Sequence, residues 1–154
     1  QTKDIDPVRP VVDASGGIHT DVTDIADVHD YEQDPEILKT HYEHLKDGKV
    51  ICQVDAEGYK GGPMFVSEYG GIGLRTGDDG WSYGESPKST EEFIARYDGL
   101  TTVLLENPDI FAFCYTQLYD IEQEVNGLYT YDRVPKVDIS RIKAVNEKPA
   151  AIEK

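Results

Sequence analysis

The chain has few of the residues that mark a metal site, a disulfide framework or a membrane span. It contains only two cysteines, Cys52 and Cys114, without a CxxC spacing or a histidine cluster nearby. Both are expected to be free thiols on apolar segments, and no metal or other cofactor is expected. No apolar stretch approaches the roughly 20 residues that cross a bilayer, so a soluble protein without membrane contact is predicted.

Positive charge is also scarce. The 15 Lys and Arg residues are outnumbered by 30 Asp and Glu residues, which gives a formal net charge of -15 at pH 7. Nucleic acids and anionic membranes are bound through clustered Lys and Arg, so the composition argues against both partners. An uncharged ligand such as a sugar remains compatible, although the simplest interpretation of the acidity is solubility.

The N-terminal end lacks a methionine and has no basic patch followed by an apolar run, so no signal peptide is recognised. Residues 1–10 are polar and include two prolines, a composition typical of a connecting segment. A chain of 154 residues is long enough for one ordinary domain. No linker that would divide it into two domains is visible.

Short apolar runs that end in polar or glycine-rich loops are the strand signals of this sequence. Helix-like segments follow at least the last three runs, which predicts an α/β fold built from strand–helix units. The last two runs are almost continuously apolar, as expected for parallel strands covered on both faces. The four runs are Pro10–Ala14, Ile25–His29, Met64–Ser67 and Ile110–Tyr115.

Capping signals place the helices. Asp34 followed by Pro35 predicts a helix that ends near Gly48. Ser89 and Glu92 form a capping-box pattern at the start of a second helix, which Asn107–Pro108 ends, and a last helix is predicted from about Ser140. The expected apolar faces consist of Ile37, Leu38, Tyr42 and Leu45 in the first helix and Phe93, Tyr97, Leu100 and Leu104 in the second.

Glu68 lies where the third apolar run breaks into the double glycine Gly70–Gly71. In an eight-stranded β/α barrel the carboxyl ends of all strands open on one face, and the loops there build the active site. This position is typical of a nucleophile in a barrel enzyme. The alternative is a surface glutamate before a tight turn.

Several segments, in the same order along the chain, resemble glycoside hydrolase family 2, which contains β-galactosidases, β-glucuronidases and β-mannosidases. The resemblance covers about residues 7–148 and implies half of a (β/α)8 TIM barrel, strands 5 to 8 with their helices, within an incomplete domain 1–154. The matching segments are Arg9–Gly17 for the fifth strand, Asp24–Tyr31 for the sixth, Val66–Gly71 for the nucleophile motif, and Tyr115–Glu122 with Glu124–Arg133 for the eighth strand and closing segment of a bacterial subgroup.

The resemblance implies a retaining β-glycosidase in which Glu68 attacks the anomeric carbon and forms a covalent glycosyl-enzyme intermediate. A second carboxylic acid, roughly 5 to 5.5 Å away, would protonate the leaving oxygen. In the family this acid lies in an Asn-Glu motif at the end of the fourth strand, and no such motif precedes Pro10. Asn146–Glu147 follows the eighth-strand match and cannot replace it. Because leaving-group protonation contributes about 100-fold to 10,000-fold, this piece alone is expected to be inactive or nearly so.

The resemblance also implies that Tyr31 supports the nucleophile through a hydrogen bond, with a rim tyrosine as the alternative. His29 offers a ring donor to a sugar hydroxyl, and Trp81 and its neighbour Tyr83 offer flat faces to a pyranose. Tyr115 stands where many relatives carry a tryptophan that forms the floor of the sugar site. The predicted substrate-binding residues are His29, Trp81, Tyr115, Gln117 and Asn126, each of which also has a purely structural alternative.

Three further polar residues receive structural interpretations. Asp13 is expected to be a cap or turn partner, and His41 and His44 are expected to face solvent. Galactose, glucuronic acid and mannose all stay open as the sugar. The absence of an evident lysine pair mildly disfavours glucuronic acid.

Half a barrel leaves two sheet edges and an apolar interior uncovered. Association is therefore predicted, either with a second copy as a homo-oligomer or with the missing N-terminal part of the parent enzyme. Two rival functions stay open. One is a non-catalytic carbohydrate-binding or interaction module derived from such a barrel. The other is a different retaining barrel family with a glutamate on its seventh strand, against which the match over residues 115–133 argues.

Overall fold

The computed structural model describes residues 1–50, 59, 61–62, 64–74 and 80–154, so the predicted thiol Cys52 lies outside the described residues. Strands and helices alternate along the chain. Two single-turn 3₁₀ helices, Leu45–Asp47 and Ala151–Glu153, accompany them. The other elements are α1 (Thr2–Ile5), β1 (Ala26–Asp30), α2 (Pro35–His41), β2 (Met64–Gly70), α3 (Thr90–Glu106), β3 (Ile110–Thr116) and α4 (Ile139–Asn146).

Three parallel strands form the sheet of the described residues, in the order β1-β2-β3. Ala26 pairs with Met64, and Met64 pairs with Ile110. The register between β1 and β2 shifts after Val28, and this irregularity places His29 opposite Glu68. The predicted α/β class with a parallel sheet is confirmed.

The first predicted strand, Pro10–Ala14, is wrong, because these residues form no strand. Pro10 has no N–H to give to a ladder. The N–H of Val11 donates instead to Asp24 Oδ2 at 2.9 Å, and the Val11 carbonyl accepts from the Asp24 N–H at 2.9 Å. The segment is therefore held by Asp24 and other loop residues rather than by a neighbouring strand.

Helix α2 begins as predicted and ends early. The carboxylate of Asp34 accepts from the N–H groups of Glu36 and Ile37, which satisfies two free donors of the first turn. The α-helix stops at His41, and the 3₁₀ turn that follows ends at Gly48, whose φ is 71°. Ile37 is exposed, so its predicted place on the buried face is wrong. The burial of Leu38, Tyr42 and Leu45 is confirmed.

Helix α3 follows its capping signals. Ser89 Oγ accepts from Glu92 N at 3.1 Å, and Glu92 Oε2 accepts from Lys88 N at 2.9 Å. Asn107 ends the helix and donates from Nδ2 to the carbonyl of Tyr42 at 3.2 Å, which ties α3 to the end of α2. Helix α4 begins at Ile139, next to its predicted start. The predicted buried face of Phe93, Tyr97, Leu100 and Leu104 is confirmed.

The two faces of the sheet differ in what covers them. Side chains alternate between the faces of a strand, except where the pairing register shifts, as it does in β2 between Val66 and Tyr69. On the face that we call the covered face, Val28, Met64, Val66 and Tyr69 are buried in one core with α3. The opposite face, here the open face, carries Phe65, Ser67, Phe111 and Cys114, of which Phe111 and Cys114 are exposed. None of the helices in the described part of the chain is long and apolar enough to span a bilayer.

Candidate functional site at the carboxyl ends of the strands

Glu68 lies near the carboxyl end of β2, and Tyr31 follows β1 directly. The Tyr31 hydroxyl donates a hydrogen bond to Glu68 Oε2. Burial and this hydrogen bond raise the pKa of Tyr31 far above its ordinary value, so the hydroxyl keeps its proton. The structure thus brings together the two residues that the sequence predicts as nucleophile and supporting group.

The two oxygens of Glu68 differ in their surroundings. His29 Nδ1 lies 3.4 Å from Oε2, the same oxygen that accepts from Tyr31. Among the described residues no donor contacts Oε1. The Glu68 side chain as a whole is 38% exposed.

The double glycine after Glu68 is required by neighbouring aromatic rings. Gly70 has a φ of 88°, and a Cβ there would overlap the ring of Tyr115. Gly71 has a φ of 60°, and its Cβ would lie 2.5 Å from Tyr83 Cδ2 and 2.9 Å from Tyr31 Cδ1. Only glycine adopts both backbone conformations and admits both contacts.

Tyr31 contacts Glu68, and two further aromatic side chains are linked to Tyr31. The rings of Tyr31 and Tyr83 stack with centroids 3.6 Å apart, and Trp81 meets Tyr83 edge-on at 5.5 Å. Trp81 is 48% exposed, and its backbone is fixed by the Gln123 carbonyl, which accepts from Trp81 N at 2.7 Å. The predicted sugar-binding residue Trp81 therefore joins the Glu68 site through Tyr83 and Tyr31.

The other predicted sugar-binding residues lie at the end of β3 and in the loop that follows. The Tyr115 ring packs on Tyr69 and Tyr97, with centroids 5.6 and 5.0 Å away, and its hydroxyl donates to the carbonyl of Asn126. Burial raises the pKa of Tyr115. Gln117 follows a cis peptide bond, and its N–H donates to the Asn126 carbonyl at 3.4 Å.

Asn126 is fully buried, and its Nδ2 donates to Glu124 Oε1 at 2.9 Å. Asn126 Oδ1 and Gln117 Nε2 are buried without a hydrogen-bond partner among the described residues. Tyr115, Gln117 and Asn126 are thus joined to one another in the loop after β3. Tyr115 points to the covered face, where α3 packs.

Gln33 and Arg96 hold the site together, and the sequence analysis missed both. Gln33 Nε2 donates to the carbonyls of Tyr31 at 2.9 Å and Gly70 at 2.6 Å, which links the ends of β1 and β2. Arg96 on α3 donates to Gln33 Oε1 at 3.2 Å and to the Glu85 carbonyl at 2.7 Å. No motif marks either residue. Most of their partners are backbone carbonyls, which every residue has, so the sequence does not indicate these contacts.

A polar cluster of Ser15, Asp27, His29 and Ser67 lies behind Glu68, and the sequence analysis recognised only His29. Asp27 is buried, and its Oδ2 accepts from Ser15 Oγ at 2.7 Å, from Gly16 N at 3.2 Å and from Ser67 Oγ. Ser15 Oγ also lies 3.0 Å from His29 Nε2. Gly16 and Gly17 after Ser15 were the sequence signal that could have indicated this cluster, since Gly16 lies next to the His29 ring.

His19 closes the back of this cluster. Its side chain is only 2% exposed, with Nδ1 2.8 Å from Asp13 Oδ1 and Nε2 2.9 Å from the Asp27 carbonyl. Burial lowers the pKa of His19, but the hydrogen bond to Asp13 and the charges of both aspartates outweigh burial and raise it. Asp13 also accepts from the N–H groups of Ala14 and Thr20, which confirms the predicted turn partner.

His41 is a correction to the sequence analysis. It is buried rather than solvent-facing, and its Nδ1 lies 2.8 Å from Asp30 Oδ2, which also accepts from the Tyr42 hydroxyl at 2.9 Å. A carboxylate at the fully buried end of β1 needs such donors. The exposure of His44 is confirmed, and so is the free thiol of Cys114. Within the described ranges no group of His, Cys, Asp and Glu side chains is placed to hold a metal ion.

No protein-family model matches the sequence, and no curated protein is significantly similar to it. Solved structures do match the fold. The β-glucuronidase of Faecalibacterium prausnitzii superposes with a TM-score of 0.63 at 18% identity, over 96% of this chain and 27% of that one. An uncultured Clostridium β-glucuronidase gives 0.59 at 14% identity, over 94% and 27%. Bifidobacterium dentium β-glucuronidase gives 0.56 at 17% identity, over 85% and 22%.

At these low identities, the superpositions show a common fold. The chain spans about a quarter of the length of the β-glucuronidases that it matches. The described three-stranded parallel sheet with its helices is therefore an architecture found within larger glycoside hydrolases.

Proposed function

We propose that this chain is the C-terminal half of the catalytic barrel of a retaining β-glycosidase, of the kind found in glycoside hydrolase family 2, with Glu68 as the nucleophile. One observation carries the proposal. A carboxylate at the carboxyl end of a parallel strand accepts the Tyr31 hydroxyl hydrogen on Oε2, and no donor among the described residues contacts its Oε1.

The two oxygens have different tasks in this mechanism. Oε1 forms the bond to the anomeric carbon while the bond from that carbon to the leaving oxygen breaks. Water then displaces Glu68 in the second step, and the carboxylate leaves with its electron pair. Tyr31, whose raised pKa keeps it protonated, donates to Oε2 and stabilises the departing carboxylate.

The acid/base is supplied by another segment. We assign it to an Asn-Glu motif on a preceding strand of the parent enzyme, since no Asn-Glu occurs before Asn146. The 154-residue chain alone is then inactive or nearly so, because its leaving group would depart unprotonated.

Sugar binding is assigned to Trp81 together with His29, Tyr115, Gln117 and Asn126. Trp81 is the best placed, because its exposed ring continues the aromatic group beside Glu68. A flat aromatic face suits the apolar side of a pyranose. The buried amides of Gln117 and Asn126 reach a sugar only if the loop after β3 rearranges.

The test is covalent labelling of a parent protein that contains the upstream Asn-Glu. Three 2-deoxy-2-fluoro sugars, of the galacto, glucurono and manno types, should each be offered, and the one that matches the specificity should label Glu68. Peptide mass spectrometry identifies the modified residue. Glu68→Gln should remove the adduct, while Glu106→Gln at the exposed end of α3 should keep it.

A non-catalytic carbohydrate-binding module is the second candidate, favoured by the exposed ring of Trp81 beside Tyr83. It predicts sugar binding that Trp81→Ala abolishes, with no adduct from any fluorosugar. An adduct on a residue other than Glu68 would refute both candidates.

The proposed half barrel needs a partner to cover its open face and its strand edges. The open face exposes Phe111 and Cys114, and β1 and β3 each have one edge without a partner strand among the described residues. Such surfaces are normally covered. We expect the isolated chain to bind the N-terminal part of the parent barrel or to self-associate, and a compact monomer in sedimentation velocity would contradict the half-barrel assignment.

A further inference from the structure

The hydroxyl of Ser15 lies between a carboxylate and a histidine ring. Ser15 Oγ is 2.7 Å from Asp27 Oδ2 and 3.0 Å from His29 Nε2. On the other side of the ring, His29 Nδ1 is 3.4 Å from Glu68 Oε2. One imidazole thus separates the serine from the proposed nucleophile.

Counting hydrogens assigns the donors. A carboxylate only accepts, and a hydroxyl has one hydrogen to give. At 2.7 Å from Asp27 Oδ2, Ser15 must give its hydrogen to that oxygen. The Ser15 hydroxyl then has only lone pairs left for His29. The hydrogen in the contact between Ser15 Oγ and His29 Nε2 must therefore be carried by Nε2.

The other groups around Asp27 do not change the assignment of the Ser15 hydrogen to Asp27 Oδ2. Oδ2 also accepts from the Gly16 N–H and the Ser67 hydroxyl, and neither of these accepts the Ser15 hydrogen in its place. The contact between Ser15 and Ser67 is long, at 3.4 Å. A Cβ at Gly16 would lie 3.6 Å from the His29 ring, and the glycine adds no charge.

We propose that Ser15, oriented by Asp27, is a positioning residue that fixes neutral His29 as the Nε2–H tautomer. Nδ1 then faces Glu68 as a lone pair, so neutral His29 does not donate to Oε2, and Tyr31 is the single donor there among the described residues. With its one ring hydrogen directed to Ser15, neutral His29 offers a sugar hydroxyl an acceptor, Nδ1, instead of the donor expected from the sequence. Its catalytic meaning rests on the proposed function. A competing Nδ1–H donor would withdraw charge from Glu68 and weaken its attack on carbon.

The test reads the ring nitrogens directly. Long-range ¹H–¹⁵N correlation spectra of the 154-residue chain distinguish protonated from unprotonated ring nitrogens. Above the pH at which the ring becomes neutral, His29 should show a hydrogen on Nε2. In Ser15→Ala the Nε2 acceptor is lost while Glu68 still attracts a hydrogen to Nδ1. The ratio of the tautomers should therefore shift several-fold towards Nδ1–H.

Matched variants isolate the effect. Ser15→Thr keeps the hydroxyl and should restore the wild-type ratio, and Ser140→Ala removes a hydroxyl from α4 and should leave it unchanged. Adding Glu68→Gln to Ser15→Ala removes the carboxylate charge and should reduce the shift. His29→Gln assigns the signals among the four histidines of the chain.

An unchanged tautomer in Ser15→Ala, or a wild-type ring with its hydrogen on Nδ1, overturns the proposal. The buried His41 signal reports whether a variant is folded, and Ser15→Cys, which keeps the side-chain volume and is a weak acceptor, should shift the ratio in the same direction. This measurement does not depend on turnover. If Glu68 is not labelled by a fluorosugar but the tautomer shifts, the proposed function fails and the positioning role of Ser15 stands.

Discussion

The two faces of β2 differ in burial although they belong to one strand. On the covered face, Met64 and Val66 are fully buried, and the Tyr69 hydroxyl pairs with Thr101 at 2.8 Å. On the open face, Phe65 and Ser67 remain partly accessible. Burial of apolar surface supplies most of the stability of a fold. We infer that substitutions on the covered face lower stability more than substitutions on the open face.

The largest effect is expected on the covered side. Leu100 on α3 is fully buried, and Leu100→Ala should lower the free energy of unfolding by about 2–5 kcal/mol, because it removes contacts and leaves a cavity. Leu118→Ala, at a residue that is 59% exposed, is the matched control and should cost less than about 0.5 kcal/mol. Urea unfolding followed by circular dichroism measures both. Equal losses would refute the distinction between the faces.

The next effect tests the end of β2. Gly71→Ala should cost about 3 kcal/mol, since it combines a positive φ of 60° with overlap of the Tyr83 and Tyr31 rings. Gly61 has a φ of 75°, and no atom of the described residues lies within 4 Å of a Cβ there, so Gly61→Ala should cost only the backbone strain, about 1 kcal/mol. Near-ultraviolet circular dichroism should change in Gly71→Ala alone. A similar cost for both would mean that the aromatic rings give way.

A smaller effect should depend on pH. The folded state raises the pKa of His19, so its contribution to stability is fully present below its unfolded pKa of about 6.5 and is lost as pH rises through the folded value. The wild-type free energy of unfolding should thus decline above neutral pH relative to His19→Gln. His44→Gln removes an exposed histidine and should decline like the wild type. Parallel curves for all three would exclude His19 as the cause.

The smallest effect on stability is expected on the open face. Phe111→Asp should lower the free energy of unfolding by about 1 kcal/mol, well below the loss in Leu100→Ala, because 40% of the side chain is already exposed. Association should fall, since a charge replaces an apolar contact. Sedimentation velocity tests this, with Lys143→Asp on the exposed side of α4 as the control. A large loss of stability would show that the open face belongs to the core.

The sequence was most informative where the signal is local. Ser89 and Asp34 marked two helix starts because their side chains bond the adjacent N–H groups. It failed at Pro10–Ala14, since an apolar run does not reveal whether a neighbouring strand is available to pair with it. Ile37 failed for a different reason, because it lies one residue, about 100° around the helix, from the buried Leu38.

At the candidate site, the pairing of Glu68 with Tyr31 was predictable from the family resemblance. The cluster around Asp27 was not, because Ser15 and Ser67 are 52 residues apart and meet only through the fold. His41 was misassigned for the same reason. Its partner Asp30 lies on β1, and nothing in the spacing shows that this strand end is buried.

Arg96 has a consequence for transplantation. Since this guanidinium joins Gln33 to the carbonyl of Glu85, a residue of α3 fixes how far apart the segments after β1 and β2 stand. A designer who moved the Glu68 and Tyr31 strands into another scaffold, without the helix that carries Arg96, would copy these two side chains and lose their spacing.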